Sequence, residues 1–160
     1  MHRRVTLACA DFGKENPAIA QPRDLDAVRG ANAAFYNAFE GRDLDALSRL
    51  WEHTERVVCT HPGWATLRGW AKVSASFFAL FQNSQHLQFI LTNERAEVVG
   101  DAGWVSVDEN ILDVDGATTV AALNVFVRDP AGQWVMVAHH GSPVTASAEV
   151  SDEEDDEEED

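Results

Sequence analysis

Trp104-Val-Ser-Val-Asp-Glu-Asn-Ile-Leu-Asp-Val-Asp-Gly-Ala-Thr-Thr-Val-Ala-Ala-Leu-Asn-Val-Phe-Val-Arg128 reads as two long strands joined by an Asp-Gly turn. Side chains alternate along a strand, so Val105, Val107, Glu109 and Ile111 share one face. The opposite face carries Ser106, Asp108 and Asn110, which makes the valine face the better candidate for the interior. A carboxylate there needs a reason, because burying it unpaired costs several kcal/mol or drives its pKa upward. Asn124 repeats the situation on the second strand, where Val120, Ala122 and Phe126 share its face. Two other readings of Glu109 stay open: an ion pair with an arginine such as Arg95, or a valine face turned to solvent or to an oligomer interface.

Working outward, strands are expected over His86–Thr92, Arg95–Val99, Trp104–Val114, Ala117–Arg128 and Gln133–His140. Gly-Asp, Asp-Gly and Asp-Pro-Ala-Gly turns join them as antiparallel hairpins. Upstream the period changes. Leu25, Val28, Ala31, Asn32, Phe35, Ala38 and Phe39 recur at helical spacing, with Asp24 as expected N-cap and an end near Gly41. Asp43 caps a second helix with Leu44, Leu47, Leu50 and Trp51 on one side. Arg56–His61 reads as a short strand ending at the Pro62-Gly63 turn, with a brief partner strand over Trp64–Leu67. Gly69 then introduces a third helix whose apolar stripe is Trp70, Val73, Phe77, Leu80 and Phe81. Helices first and hairpins afterwards predict an α+β domain, its helices packed on one face of a curved sheet.

The chain has 160 residues and 45% hydrophobic content, enough for one domain with a core. Removing the unbroken acidic run Asp152–Asp160 from the formal charge of −15 leaves −6 for the remainder. A mildly acidic body without clustered Lys and Arg argues against nucleic acid and against an anionic membrane surface. No stretch approaches the roughly 20 apolar residues of a membrane helix. Cys9 and Cys59 form no paired framework, which makes the cytoplasm the expected compartment. Residues 1–22 read as a disordered arm, 23–146 as the domain and 147–160 as a disordered acidic tail.

Among the candidate site residues, His61 ends its strand before Pro62-Gly63-Trp64, a combination of titratable group and loop aromatic that suits a binding rim. His139 and His140 close the last strand and point to opposite faces, His140 with the parity of Trp134, Met136 and Ala138 and His139 with that of Val135 and Val137; which of them looks inward stays open, and His140 joins Glu109 and His61 as a catalytic candidate that would orient or stabilise a developing oxyanion. Trp64, Asn124, Tyr36 and Trp51 are the expected substrate contacts. Neither His-x-His nor His-x3-His spacing occurs, so no metal and no cofactor is expected. Nucleophile elbows and phosphate loops are also lacking.

Residues 24–145 resemble the NTF2-like superfamily, and within it the SnoaL-like branch. The resemblance rests on Gly41-Arg-Asp-Leu-Asp-Ala-Leu47, Val57-Val-Cys-Thr-His-Pro-Gly-Trp64, Leu67-Arg-Gly-Trp70, Glu109-Asn110, Asn124-Val-Phe126 and Trp134-Val-Met-Val-Ala-His-His-Gly-Ser-Pro143. It implies a cone-shaped barrel with three helices on a strongly curved, mostly antiparallel sheet, a pocket inside the cone, and a homodimer through the sheet. In ketosteroid isomerase, a member, the segment similar to Thr60-His61-Pro62 carries the base, and the first helix supplies a tyrosine where this chain has Phe35 and Tyr36. The kinase association domain has pocket arginines on strands similar to those bearing Glu109 and Asn124. The expected function is a small-molecule pocket for an apolar carbonyl compound, with acid/base isomerase, dehydratase or cyclase chemistry. The alternative is a non-catalytic ligand-binding or interaction module.

Overall fold

A computed structural model describes residues 21–82 and 86–145. Three helices, α1 (Pro22–Glu40), α2 (Leu44–Leu50) and α3 (Trp70–Gln82), accompany six strands: β1 (Val58–Thr60), β2 (Leu67–Arg68), β3 (Gln88–Val99), β4 (Ala102–Asp113), β5 (Gly116–Arg128) and β6 (Trp134–Pro143). The strands form one sheet in the order β2-β1-β6-β5-β4-β3, antiparallel throughout except for the parallel β1–β6 pair. The helices lie against one face of this curved sheet, as the helix-then-hairpin order leads one to expect.

Asp43 caps α2 through Oδ1, which accepts from the Ala46 amide at 2.8 Å. Asp24 does not cap α1. Pro22 opens that helix after Gln21, its missing N–H costing nothing in the first turn, and Asp24 instead meets Arg128 at 2.9 Å. The brief partner strand lies at Leu67–Arg68 rather than Trp64–Leu67. The acidic tail, most of the N-terminal arm and Cys9 fall outside the described residues.

The two strands expected over 86–99 are one strand, β3, interrupted by a bulge between Thr92 and Arg95 with Asn93 at φ 55°. The extra residue inverts the alternation: Phe89 and Leu91 pack inward before it, Ala96 and Val98 after it. Glu94 thereby falls on the side that meets α1. A second bulge interrupts β6, where Val125 pairs with Ala138 but Phe126 with Met136, leaving Val137 without a partner on β5. Inward residues change there from Trp134 and Met136 to His139. A shift of one residue moves every later side chain to the other face.

Helices and sheet close on an aromatic core. Phe35 meets Phe77 edge-on at 6.1 Å, and Phe39 lies 5.5 Å from Phe81 and 5.1 Å from Phe89. Each such pair adds about 0.5–1.5 kcal/mol beyond area burial. Trp51 belongs to this packing, in ring contact with Phe35, Trp70 and Phe77, and lines no part of the cavity described below. Trp51, expected among the substrate contacts, thus lies in the packed core against Phe35 and Phe77 and off the wall of that cavity.

Candidate active site

Between α1, α3 and the inner face of the sheet lies a cavity of about 150 Å³, walled by rings and aliphatic chains, with Tyr36, His61, Glu109 and His139 as its polar lining. An apolar cavity of this size accommodates a benzene-sized ring. Tyr36 comes from α1, His61 from the end of β1, Glu109 from β4 and His139 from β6, so the site needs the whole fold to assemble it.

Glu109 is 3% exposed and is held by Tyr36, whose hydroxyl donates to Oε1 at 2.6 Å. Burial pushes its carboxyl up to about 7, the Tyr36 hydrogen bond offsetting part of the rise. Burial first, and the neighbouring carboxylate second, keep the Tyr36 hydroxyl protonated. Neither the arginine pair nor the solvent-facing alternative for Glu109 holds: its partner is a phenol, and the valine face is interior.

Asn124 connects the remaining groups. Its Nδ2 donates to Asn32 Oδ1 at 2.8 Å and to Tyr36 Oη at 3.0 Å, and its Oδ1 lies 2.6 Å from His139 Nδ1. Asn32 Nδ2 donates in turn to Glu94 Oε2 at 3.2 Å. A carboxylate only accepts, so Glu94 dictates the direction of the string. Asn32 must turn its amide nitrogen to Glu94 and its oxygen to Asn124; Asn124 must then turn its oxygen to His139. Nδ1 of His139 therefore carries the hydrogen. His61 is fixed by similar elimination: the Ser76 hydroxyl spends its one proton on the Val73 carbonyl at 2.7 Å, so His61 Nε2, 2.9 Å from Ser76 Oγ, is the donor.

Residues 28–147 match the model of the SnoaL-like domain. The chain belongs to the SnoaL-like family. A structure from Streptomyces avermitilis, a candidate dehydratase of the NTF2-like family, is 38% identical with a TM-score of 0.71, covering 78% of this chain and 98% of that one. A candidate association domain of calcium/calmodulin-dependent protein kinase type II from Thiobacillus denitrificans is 33% identical with a TM-score of 0.63, covering 80% and 98%. The F-box protein SKIP8 of Arabidopsis thaliana is 31% identical over 116 residues, 72% of this chain. The chain spans about half (49%) of that curated relative. NTF2-like topology is thereby shown for a chain whose cavity sits inside the curved sheet.

Within this SnoaL-like domain the expected site residues separate into two groups. Tyr36, His61, Trp64 and Glu109 line one cavity, Trp64 at its rim with its ring edge-on to His61 at 5.1 Å. Asn124 stands one hydrogen bond behind them. His140 is exposed on the outer face, bonded to Ser142, and its expected place is taken by His139. The bulge at Val137 is the reason, since parity counted from Trp134 and Met136 fails beyond it. Sequence reasoning did not find Asn32, Ser76 or Glu94. The first was read as part of a helix stripe, where a buried asparagine among Val28 and Phe35 was the available signal. Among the described residues no group of three or more His, Cys, Asp or Glu could hold a metal ion, and no helix is long and apolar enough to cross a membrane.

Burial lowers His61 to about 4; burial, then the neighbouring His61 and His140, lower His139 to about 3. Folded pKa values below the ordinary 6.5 mean that the unfolded chain binds more protons in the interval. Their contribution is thus complete above pH 6.5 and is lost as pH falls towards 4 and 3, on the order of 3 kcal/mol or more for each ring. Urea unfolding of wild type and His61→Gln from about pH 7 down to about pH 4 should show the steeper loss in wild type. Parallel profiles would refute a buried neutral His61.

Proposed function

We propose that this domain binds a small, largely apolar ring compound in the cavity and transfers a proton on it with Glu109, as a cofactor-independent lyase or isomerase. One observation carries the reading: a buried carboxyl at the cavity wall, pushed up to about 7, with its Oε1 held by Tyr36. A group half-ionised near neutrality can take a proton and return it, which is the requirement of general acid–base catalysis. Its oxygen geometry is fixed in advance, so little reorganisation accompanies the transfer.

The likeness to the Streptomyces avermitilis candidate dehydratase favours the lyase direction. For a β-hydroxy ketone, Glu109 takes the proton from the carbon beside the carbonyl. The C–O bond to the hydroxyl then breaks, a C=C bond forms, and the carboxylic acid returns its proton to the departing oxygen as water. Atoms and charge balance on one carboxyl group, provided the two leaving groups depart from the same face of the ring.

The test is conversion of 3-hydroxycyclohexanone to cyclohexenone, followed by ultraviolet absorbance, with deuterium wash-in at the intervening carbon read by NMR in heavy water. Elimination or exchange above the buffer rate supports the proposal. Ring compounds that bind without either leave the module as a non-catalytic binder, and a cavity that binds none defeats the reading.

A further inference from the structure

The hydrogens that Tyr36, His139 and His61 bring to the lining are already spoken for. The Tyr36 proton goes to Glu109, the His139 Nδ1 proton to Asn124, and the His61 Nε2 proton to Ser76. Those three groups leave no donor for a ligand, so beside the Trp64 indole N–H at the rim the lining offers chiefly acceptors. Nε2 of His139 has no hydrogen-bond partner among the described residues, while the ring lines the cavity and lies tilted against Phe35, with centroids 5.3 Å apart. Glu109 offers an acceptor when ionised, and a donor only while it holds its proton. Among the described residues no lysine or arginine lines the cavity, so these residues offer an anion beside the Glu109 carboxylate no cation to offset it.

An unpaired acceptor in an apolar cavity is costly to cover with a group that cannot donate, and such sites discriminate strongly by this penalty. We propose that the cavity's ligand presents an O–H or N–H to Nε2 of His139: its class is a hydroxylated ring or an N–H heteroaromatic, and carbonyl or ether groups face elsewhere. The inference rests on the proposed function, which supplies a substrate hydroxyl, and sharpens it by assigning that hydroxyl a place. His139 is then a residue that chooses the substrate, and Asn32, Asn124 and Glu94 are positioning residues that keep its acceptor nitrogen bare. Glu94 achieves this from an exposed position on β3. The groups facing the acceptor site from the packed elements are Tyr36 on α1, Cys59 and His61 on or beside β1, and Glu109 on β4. Cys59, pushed up to about 12 by burial and by Glu109, stays a thiol.

The experiment compares phenol, fluorobenzene and benzaldehyde, three probes of similar size, against the full chain at about pH 8, where Glu109 is ionised and phenol is not. Phenol is expected to bind roughly tenfold tighter than either of the others. Histidine nitrogen NMR should show free His139 as the Nδ1–H form, with Nε2 moving towards a hydrogen-bonded shift only when phenol is added. His139→Phe, which retains a ring against Phe35, should erase the preference. Equal affinity for the three probes, or an Nε2–H form of His139 in the free protein, would overturn the inference and leave the proposed function standing. Failure of all three to bind would remove both. Because the NMR readout uses wild-type protein, a misfolded variant would not rescue the idea.

Discussion

Glu109→Gln is expected to slow proton transfer about 10²–10⁴-fold, the usual worth of a positioned general base. Fold and ligand affinity should stay close to wild type, since glutamine has the same shape and its amide oxygen can still accept the Tyr36 hydroxyl, 2.6 Å from Oε1. The same substitution has a thermodynamic signature. Folding raises the carboxyl from 4.5 to about 7, chiefly through burial. Within that window the native chain keeps a proton that the unfolded chain gives up, so stability falls as pH rises and levels off above 7. The loss is on the order of 3 kcal/mol. Glutamine does not titrate. The stability difference between variant and wild type should therefore grow from near zero at about pH 4 to about 3 kcal/mol at about pH 8. Urea unfolding across that range decides it: a difference that does not change with pH would mean that Glu109 ionises freely, and the proposed base would be lost with it.

Asn124→Leu is the second substitution with a large expected effect. It keeps the branched shape and the number of side-chain heavy atoms but removes the partner of three buried groups: Asn32 Oδ1, the His139 Nδ1–H and the Asn124 side of Tyr36 Oη. Leaving a buried donor or acceptor unmade costs about 1–3 kcal/mol each. Tyr36 retains its bond to Glu109, so the expected loss is about 3–5 kcal/mol, a large part of the stability of an ordinary domain. Asn124→Asp should be severe for a different reason, since a second carboxylate would lie beside the Tyr36–Glu109 pair. Denaturant unfolding of Asn124→Leu measures the first effect. A loss below 1 kcal/mol would show that the string is not tightly bonded.

The architecture was legible because its signals were periodic and local. Helical spacing from Leu25 to Phe39, the Asp43 cap and the Asp115-Gly116 turn each specify an element without reference to the rest of the chain. Glu109 and Asn124 were legible for the same reason, as polar residues on otherwise apolar faces. What the sequence did not disclose was the pair of bulges, since a bulge is set by pairing with a neighbouring strand and leaves the alternation of its own strand looking intact. One bulge brought Glu94 under α1 and the other brought His139 inward in place of His140. The place of Trp51 off the cavity wall was hidden for another reason: helix spacing gives the buried side of α2, but cavity wall and solid core look alike in one dimension.

The unpaired Val137 acts on β6 much as an inserted letter acts on a reading frame. Ahead of it the inward positions are even-numbered, and beyond it they are odd-numbered, so two adjacent histidines exchange interior and exterior at the cost of one residue. Column-by-column comparison between SnoaL-like domains therefore compares like with like on β6 only where both chains carry the same insertion. Where one lacks it, the histidine that faces the ligand is the neighbour of the one the alignment pairs, and a substitution scored as loss of the group would be a change of frame.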